Sequence, residues 1–137
     1  MEAEIIWTDG VAFAAVSGSG HELTMDGPPE AGGLNAGARP MELMLMGLGG
    51  CAAFDVVHIL RKGRAAVSRC EARVTAQRAE SDPKVFTDIH LHFTVAGEHL
   101  TARKVARAIE LSAEKYCSAS ILLRRAGVNV THGFDLV

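Results

Sequence analysis

The chain has 137 residues, of which 48% are hydrophobic and 22% charged, and its formal net charge is −2 at pH 7. This length and apolar content predict a single domain, residues 1–137, with a core of its own. The near-neutral charge excludes the electrostatic footprint of a nucleic-acid-binding protein or of one that binds an anionic membrane. Glu2 and Glu4 stand where a basic run would begin a signal peptide, so we expect a cytoplasmic protein.

The N-terminal third predicts three short strands that end near Met25, because its apolar runs are broken by turn residues at 9–10 and 17–20. Between Gly27 and Arg39 the composition changes to Gly, Pro and Ala with little to bury. We expect this segment to be a loop that moves over a site.

A helix is predicted from about residue 40 to 62, since Pro40 suits a first helical turn and a basic pair with glycine follows the apolar run. No charged residue lies between Leu43 and Phe54, so we expect this helix to be central and buried. The uncharged run is shorter than the roughly 20 apolar residues that cross a bilayer, and Asp55 interrupts its continuation. The sequence therefore favours a core helix.

Three glycines lie inside this helix, at positions 47, 49 and 50. Each costs roughly 1 kcal/mol of helix stability relative to alanine, which is understandable if another backbone packs closely there. A second copy of the same helix is a natural candidate for that backbone.

Two alternating strands follow, with apolar residues on one face from Val67 to Ala76 and from Val85 to Val95. Thr101 is a plausible N-cap for a helix whose apolar stripe ends at Tyr116, and Ser118 is expected to cap a shorter helix. The last strand is predicted at 128–134. The order β-β-β-α-β-β-α-α-β indicates an α+β domain, and its apolar central helix indicates a homodimer.

Cys51 and Cys117 carry the chemistry that the sequence offers. Three cysteines cannot pair completely within one chain, and structural disulfides are rare in a reducing compartment, so a bond here would be transient and redox-active. Cysteine also packs as a small hydrophobe, which is the commoner role on an apolar helix. Cys70 lies in a strand pattern without a matching partner and is interpreted as core.

The segment RPMELMLMGLGGC at 39–51, followed 66 residues after Cys51 by KYCS at 115–118, resembles the OsmC/Ohr family of osmotically inducible and organic-hydroperoxide-resistance proteins, in its OsmC-like branch. The order of predicted elements is similar over nearly the whole chain. The resemblance implies an intertwined homodimer with its active site at the subunit interface. It also implies reduction of organic hydroperoxides, with Cys51 as the peroxidatic and Cys117 as the resolving cysteine.

The resemblance further implies a dithiol or a lipoylated protein as reductant; we expect no cofactor. In the characterised peroxidases an N-terminal arginine and a glutamate directly after the proline activate the peroxidatic thiol. Here residues 1–38 contain no arginine, and Met41 follows Pro40, with Glu42 shifted by one. Arg39 is the nearest cation, with Glu42 as its possible orienting partner. About 13.5 Å of helix separates Glu42 from Cys51, so a contact between Glu42 and a thiol has to come from the other subunit.

Side chains near the two cysteines predict an apolar substrate pocket formed by Met41, Met44, Leu48 and Tyr116. Asp55 and His58 share a helix face with Cys51, which indicates an ion pair or a buried hydrogen bond more than a catalytic set. A carboxylate beside Cys51 would oppose formation of the thiolate. His90 and His92 have a spacing that can bind metal, but a solvated strand face is the simpler interpretation, and we expect no metal.

Two functions remain open on this basis. The first is a thiol-dependent peroxidase that acts on apolar organic hydroperoxides in defence against oxidative stress. The alternative is a non-catalytic dimer that binds an apolar ligand or acts as a redox sensor, which the missing N-terminal arginine favours.

Overall fold

A computed structural model describes all of residues 1–137 and begins with an antiparallel meander. Its strands are β1 (Ala3–Asp9), β2 (Ala12–Ser17) and β3 (Glu22–Met25), in the order β1-β2-β3. Gly10, in the first turn, has φ +52°, a left-handed conformation that glycine adopts without strain. The three predicted N-terminal strands are therefore confirmed.

Asp26 organises the segment that follows β3. Its buried carboxylate accepts hydrogen bonds from the backbone amides of Gly27, Leu34 and Ala36 at 2.7, 2.9 and 3.0 Å. These bonds, with the amide of Ala36 contributing most, lower the pKa of Asp26. Sequence analysis expected a loop here that moves over a site. The structure shows a loop whose two ends are joined by one carboxylate, which argues against a freely moving cover.

Close backbone approaches in the same loop explain two of its glycines. A Cβ at Gly33 would lie 1.9 Å from the carbonyl oxygen of Gly27, and one at Gly37 would lie 2.2 Å from that of Thr24. Any larger residue at these two positions would force the backbone to shift.

The long helix α1 extends over Pro40–Lys62, as predicted. Its buried residues fall on one face, and they are Leu48, Gly49, Ala52, Val56 and Leu60. Met46 and Phe54 are 63% and 71% exposed, so the expected burial on all sides is not reached within one chain. By length and composition α1 also qualifies as a candidate membrane span, a criterion that the core helices of soluble proteins meet as well.

The second sheet contains β4 (Ala66–Arg78), β5 (Phe86–Glu98) and β6 (Asn129–Leu136), with β5 in the middle. β4 runs antiparallel and β6 parallel to β5. Alternate residues of β5 are buried to within 1% of complete burial, and they are Ile89, Leu91, Phe93 and Val95. The apolar residues that alternate along β5, as predicted, thus lie in the hydrophobic core of the C-terminal part of the chain. Cys70, on the edge strand β4, is only half-buried.

Two short helices lie between β5 and β6: α2 (Ala102–Leu111) and α3 (Ser118–Arg125), separated by a π-helical segment, Ser112–Tyr116. Thr101 caps α2 as predicted, since its side chain accepts a hydrogen bond from the amide of Lys104 at 3.2 Å. Two details were wrong. Tyr116 does not complete the buried stripe of α2, because it is 50% exposed, and the residue that caps α3 is Cys117 and not Ser118.

The chain divides into two compact units, residues 1–44 and 45–137. Both cysteines of interest belong to the second unit, whereas Arg39 and Glu42 belong to the first. The single domain expected from the sequence stays a prediction. The mixed α+β class and the predicted element order are confirmed.

Candidate active site

Packing of α1 against the segment before α3 brings Cys51 and Cys117 together, although 66 residues separate them in the sequence. The two Sγ atoms and a carboxylate oxygen of Asp55 all lie within 4.8 Å of one another. Ser112 joins the two segments, because its hydroxyl donates to the carbonyl oxygen of Ala52 at 3.4 Å and to Oδ2 of Asp55 at 3.3 Å. The structure therefore contains a cluster of two thiols and one carboxylate.

Cys117 is fully buried at the start of α3. It has extended backbone angles, φ −71° and ψ 99°, and its Sγ accepts a hydrogen bond from the amide of Ser120 at 3.4 Å. Its own amide donates to the carbonyl oxygen of Ser112 at 2.8 Å, across the π-helical segment. π-helical insertions of this kind are frequently found at functional sites.

The surroundings of Cys117 keep its thiol protonated. Burial raises its pKa to about 12, with further contributions from the neighbouring side chains of Cys51 and Asp55. Only the amide of Ser120, at the N-terminus of α3, lowers the pKa of Cys117. Cys51 is half-buried and hence more accessible than Cys117. The two thiols are unequal in a way that the sequence did not show.

The side chain of Glu42 interacts with the backbone amide of Arg39 and not with its guanidinium group. Oε2 of Glu42 accepts a hydrogen bond from the amide of Arg39 at 2.9 Å, which satisfies a free amide at the start of α1 as in a capping box. The guanidinium group of Arg39 instead donates to Oδ1 of Asn35 and to the carbonyl oxygen of Gly37. Glu42 thus holds the start of the helix and does not orient the guanidinium.

Asp55 and His58, which share a helix face with Cys51, have different partners. The hydrogen bond expected from the sequence forms at Asp55. Asp55 takes part in a hydrogen bond with Ser112, whereas His58 stacks on Phe54 with ring centroids 6.0 Å apart. The position of Asp55 was visible in the sequence from its i+4 spacing to Cys51. Ser112 carried no sequence signal, because its partners are 57 and 60 residues away.

The residues predicted to line an apolar pocket differ in exposure. Met41 is half-buried and Met44 is 48% exposed, both in the N-terminal unit. Leu48 is completely buried in the core of the C-terminal unit. Tyr116 is exposed, with the ammonium group of Lys115 5.4 Å from its ring centroid. Of these four, Tyr116 is adjacent in sequence to one of the clustered thiols.

The two strand histidines have their own hydrogen-bond partners. His90 pairs through Nδ1 with the hydroxyl of Thr131 at 2.8 Å, and His92 pairs through Nε2 with Oδ2 of Asp135 at 2.9 Å. Their rings lie 6.1 Å apart on a partly exposed face of the sheet. This arrangement agrees with the solvated strand face that the alternation predicted.

Comparison with known proteins assigns the family. The family model described as OsmC-like protein matches residues 32–133. The chain belongs to the OsmC family. Protein YhfA of Escherichia coli strain K12 is 47% identical over 140 residues, which cover 100% of this chain and 98% of the relative.

Solved structures have the same OsmC-like fold. A hypothetical protein from Aquifex aeolicus VF5 has a TM-score of 0.86 and 28% identity, covering 99% of this chain and 95% of that one. An organic hydroperoxide resistance protein from Elizabethkingia anophelis, with thiocyanate bound, has a TM-score of 0.74 and 19% identity, covering 98% and 94%. The resemblance inferred from the cysteine segments is confirmed at the level of family and fold.

Proposed function

We propose that this OsmC-like protein is a thiol-dependent peroxidase that reduces organic hydroperoxides. The observation that carries the proposal is the proximity of Cys51 and Cys117, whose Sγ atoms lie within 4.8 Å of each other. A disulfide has an S–S length of about 2 Å, so small side-chain movements would join the two sulfurs. The description of the Elizabethkingia anophelis neighbour as a hydroperoxide resistance protein supports the same substrate class.

The reaction has two steps. In the first, Cys51 loses its proton and the thiolate attacks the hydroxyl-bearing oxygen of the peroxide, so that the O–O bond breaks, Cys51 becomes a sulfenic acid, and the alkoxide takes up the released proton and leaves as the alcohol. In the second, the Cys117 sulfur attacks the Cys51 sulfur, which forms a disulfide and releases water. A dithiol or a lipoylated protein then restores both thiols through exchange.

Burial supports this division of roles between the two cysteines. A thiol with a pKa of about 12 is a poor first nucleophile at neutral pH, which favours Cys117 as the resolving cysteine. Cys51 is half-buried, so a peroxide can reach it. The Asp55 carboxylate raises the pKa of the Cys117 thiol further and so opposes formation of its thiolate.

The active unit in this proposal is a cytoplasmic homodimer. Met46 and Phe54 expose apolar surface on α1, and a Cβ at Gly47 or Gly50 would meet nothing within 4 Å. Gly49 differs, because a Cβ there would lie 2.9 Å from Cγ2 of Val74 on β4. One glycine is thus explained within the chain, while the other two leave room for a second copy of the helix.

Single-turnover reaction of the fully reduced protein with cumene hydroperoxide tests the function. We expect loss of two of the three thiols per chain. Cys51→Ser should abolish the reaction, Cys117→Ser should divert it to over-oxidation, and Cys70→Ser should react like the parent protein. Consumption no faster than that of a free thiol would contradict the proposal.

Arg39→Ala and Glu42→Ala test whether the N-terminal unit contributes to thiol activation. If either residue contributes, we expect a drop in the peroxide rate of about 10-fold or more with unchanged disulfide stability. If the rate of reaction with peroxide were unchanged in both variants, neither Arg39 nor Glu42 would take part in thiol activation.

A binding or sensor function is the second candidate. Residues 1–38 contain no arginine, and the side chains that affect the pKa of Cys117 include no cation. A slow thiol in that environment suits a redox sensor or a carrier of apolar ligands. Disulfide formation without turnover in the presence of a dithiol would favour this candidate over the peroxidase.

A further inference from the structure

We propose that the reduced protein binds one soft divalent cation of the zinc class through Cys51, Cys117 and Asp55. These residues offer two sulfur atoms and one carboxylate oxygen, all within 4.8 Å of one another. Thiolate and carboxylate groups are established zinc ligands in tetrahedral sites. The sequence did not predict this site, because its two halves are brought together by folding.

The spacing of the ligand atoms fits this cation. Zinc–sulfur bonds of about 2.3 Å place two ligating sulfurs about 3.8 Å apart in a tetrahedral site. The observed upper limit of 4.8 Å is about 1 Å longer, a difference that side-chain rotation can close. Cys51 and Asp55 are four residues apart on α1, so they present their ligand atoms on the same helix face.

Hydrogen bonds from neighbouring residues orient two of the three proposed ligands, Asp55 and Cys117. Ser112 donates a hydrogen bond to Oδ2 of Asp55 at 3.3 Å, which leaves the other carboxylate oxygen available for a cation. The amide of Ser120 donates to the Cys117 sulfur at 3.4 Å, as in many sites where amides stabilise a ligating thiolate. The hydroxyl of Ser120 is itself completely buried without a hydrogen-bond partner.

Three protein ligands leave a fourth tetrahedral position open. Since Cys117 is fully buried and Cys51 is half-buried, that position would be reached from the Cys51 side. A bound cation neutralises much of the charge of two thiolates and a carboxylate, which have no cationic neighbour among the groups that affect Cys117. The ion would also occupy the sulfur lone pairs that attack a peroxide, so metal binding and oxidation exclude each other.

Titration of metal-free, fully reduced protein with Co²⁺, in the absence of peroxide, tests this proposal. We expect one Co²⁺ per chain, with a near-ultraviolet thiolate-to-cobalt absorption that Zn²⁺ displaces. Binding should release up to about two protons per ion, because each of the two ligating thiols is deprotonated. No absorption and no proton release would overturn the proposal.

Variants separate the three ligands. Cys51→Ser and Cys117→Ser should each lower the absorption intensity to roughly half or less. Asp55→Ala should raise the Co²⁺ dissociation constant by at least about 10-fold, and Cys70→Ser should leave it unchanged. An unchanged constant in Asp55→Ala, with thermal unfolding like that of the parent, would overturn the role of the carboxylate.

A measurement on the unmodified chain avoids any folding defect of the variants. With Zn²⁺ present, Cys51 should be protected from maleimide while Cys70 reacts at its metal-free rate; the buried Cys117 is inaccessible to maleimide in either state. Equal labelling with and without Zn²⁺ would contradict the site. Because none of these readouts uses peroxide, they can fail while the peroxidase assay succeeds, and the reverse also holds.

Discussion

The two sheets of this protein differ in the burial of their apolar side chains. On β5, Phe93 and Leu91 are completely buried, and the strand has a neighbour on each side. On β1, an edge strand, Ile5, Ile6 and Trp7 are 55%, 45% and 63% exposed. Both strands are rich in apolar side chains, so composition alone does not separate them.

This difference in burial shows which part of the protein has a complete hydrophobic core. Helices and a sheet cover each other in residues 45–137, as the contact of Gly49 with Val74 illustrates. The N-terminal sheet leaves large apolar side chains exposed to solvent, which favours the proposed association with another molecule. A second copy of the chain is the occupant that the proposed homodimer requires.

The largest expected effect is in the C-terminal sheet. Phe93→Ala should lower the free energy of unfolding by about 3–5 kcal/mol, because it leaves a cavity in a fully buried position. Ile5→Ala on β1 is a smaller truncation at an exposed position, and we expect it to lower the free energy of unfolding of the monomer by less than about 1 kcal/mol. Urea unfolding measures both. If both substitutions lowered the free energy of unfolding equally at all protein concentrations, the two sheets would not differ in the burial of their apolar residues.

The second prediction concerns association. Trp7→Asp should raise the dissociation constant of the dimer by roughly 30-fold, since a buried tryptophan at an interface contributes about 2 kcal/mol or more. Gln77→Asp adds the same charge at an exposed position on β4, in the other sheet, and is the control. Sedimentation at several concentrations measures the effect. If the parent chain is monomeric at micromolar concentration, the dimer is excluded.

The third prediction uses His132, next to the C-terminal core. Burial, assisted by Arg124, lowers its pKa from 6.5 to about 4, and its ring stacks near Phe93 at 6.5 Å. The unfolded chain binds this proton more tightly, so stability should fall as pH decreases from 6.5 to about 4. His132→Gln should flatten that part of the profile. An unaltered slope in urea unfolding would show that His132 is not responsible.

The smallest change is expected from Asp26→Asn in the N-terminal unit. The carboxylate accepts three backbone hydrogen bonds, which lower its pKa, so its contribution is present above the unfolded pKa and is lost as pH falls through the folded one. The stability difference between parent and variant should therefore be largest near neutral pH and should vanish in acid. A difference that is constant with pH would contradict the charge-based account.

Local patterns predicted most elements because they depend on nearby residues. Pro40 and the basic residues after the apolar run bounded α1 correctly, and Thr101 marked the start of α2. Cap identity was less predictable, since both Cys117 and Ser118 are short polar side chains at the start of α3. The backbone angles at Cys117 decide between them, and these depend on the π-helical segment before it.

The candidate site was predictable only in part. The sequence marked Cys51 and Cys117 as a pair through the family resemblance, and it placed Asp55 on the face of Cys51. It could not show that Ser112 reaches both Ala52 and Asp55, because those contacts cross 57 to 60 residues of chain.

Local sequence patterns were enough to predict the α+β class, the limits of α1 and the presence of β5, although this strand ends at Glu98 and not near Val95. These follow from periodicity, capping residues and turn residues, which act over a few positions, whereas Cys51 and Cys117 were singled out by the family resemblance. That the two thiols and Asp55 form one cluster, and that Cys117 is the more deeply buried thiol, became visible only in the folded chain. Distances and burial between segments far apart in the chain depend on how helices pack on a sheet, and no local pattern encodes that packing.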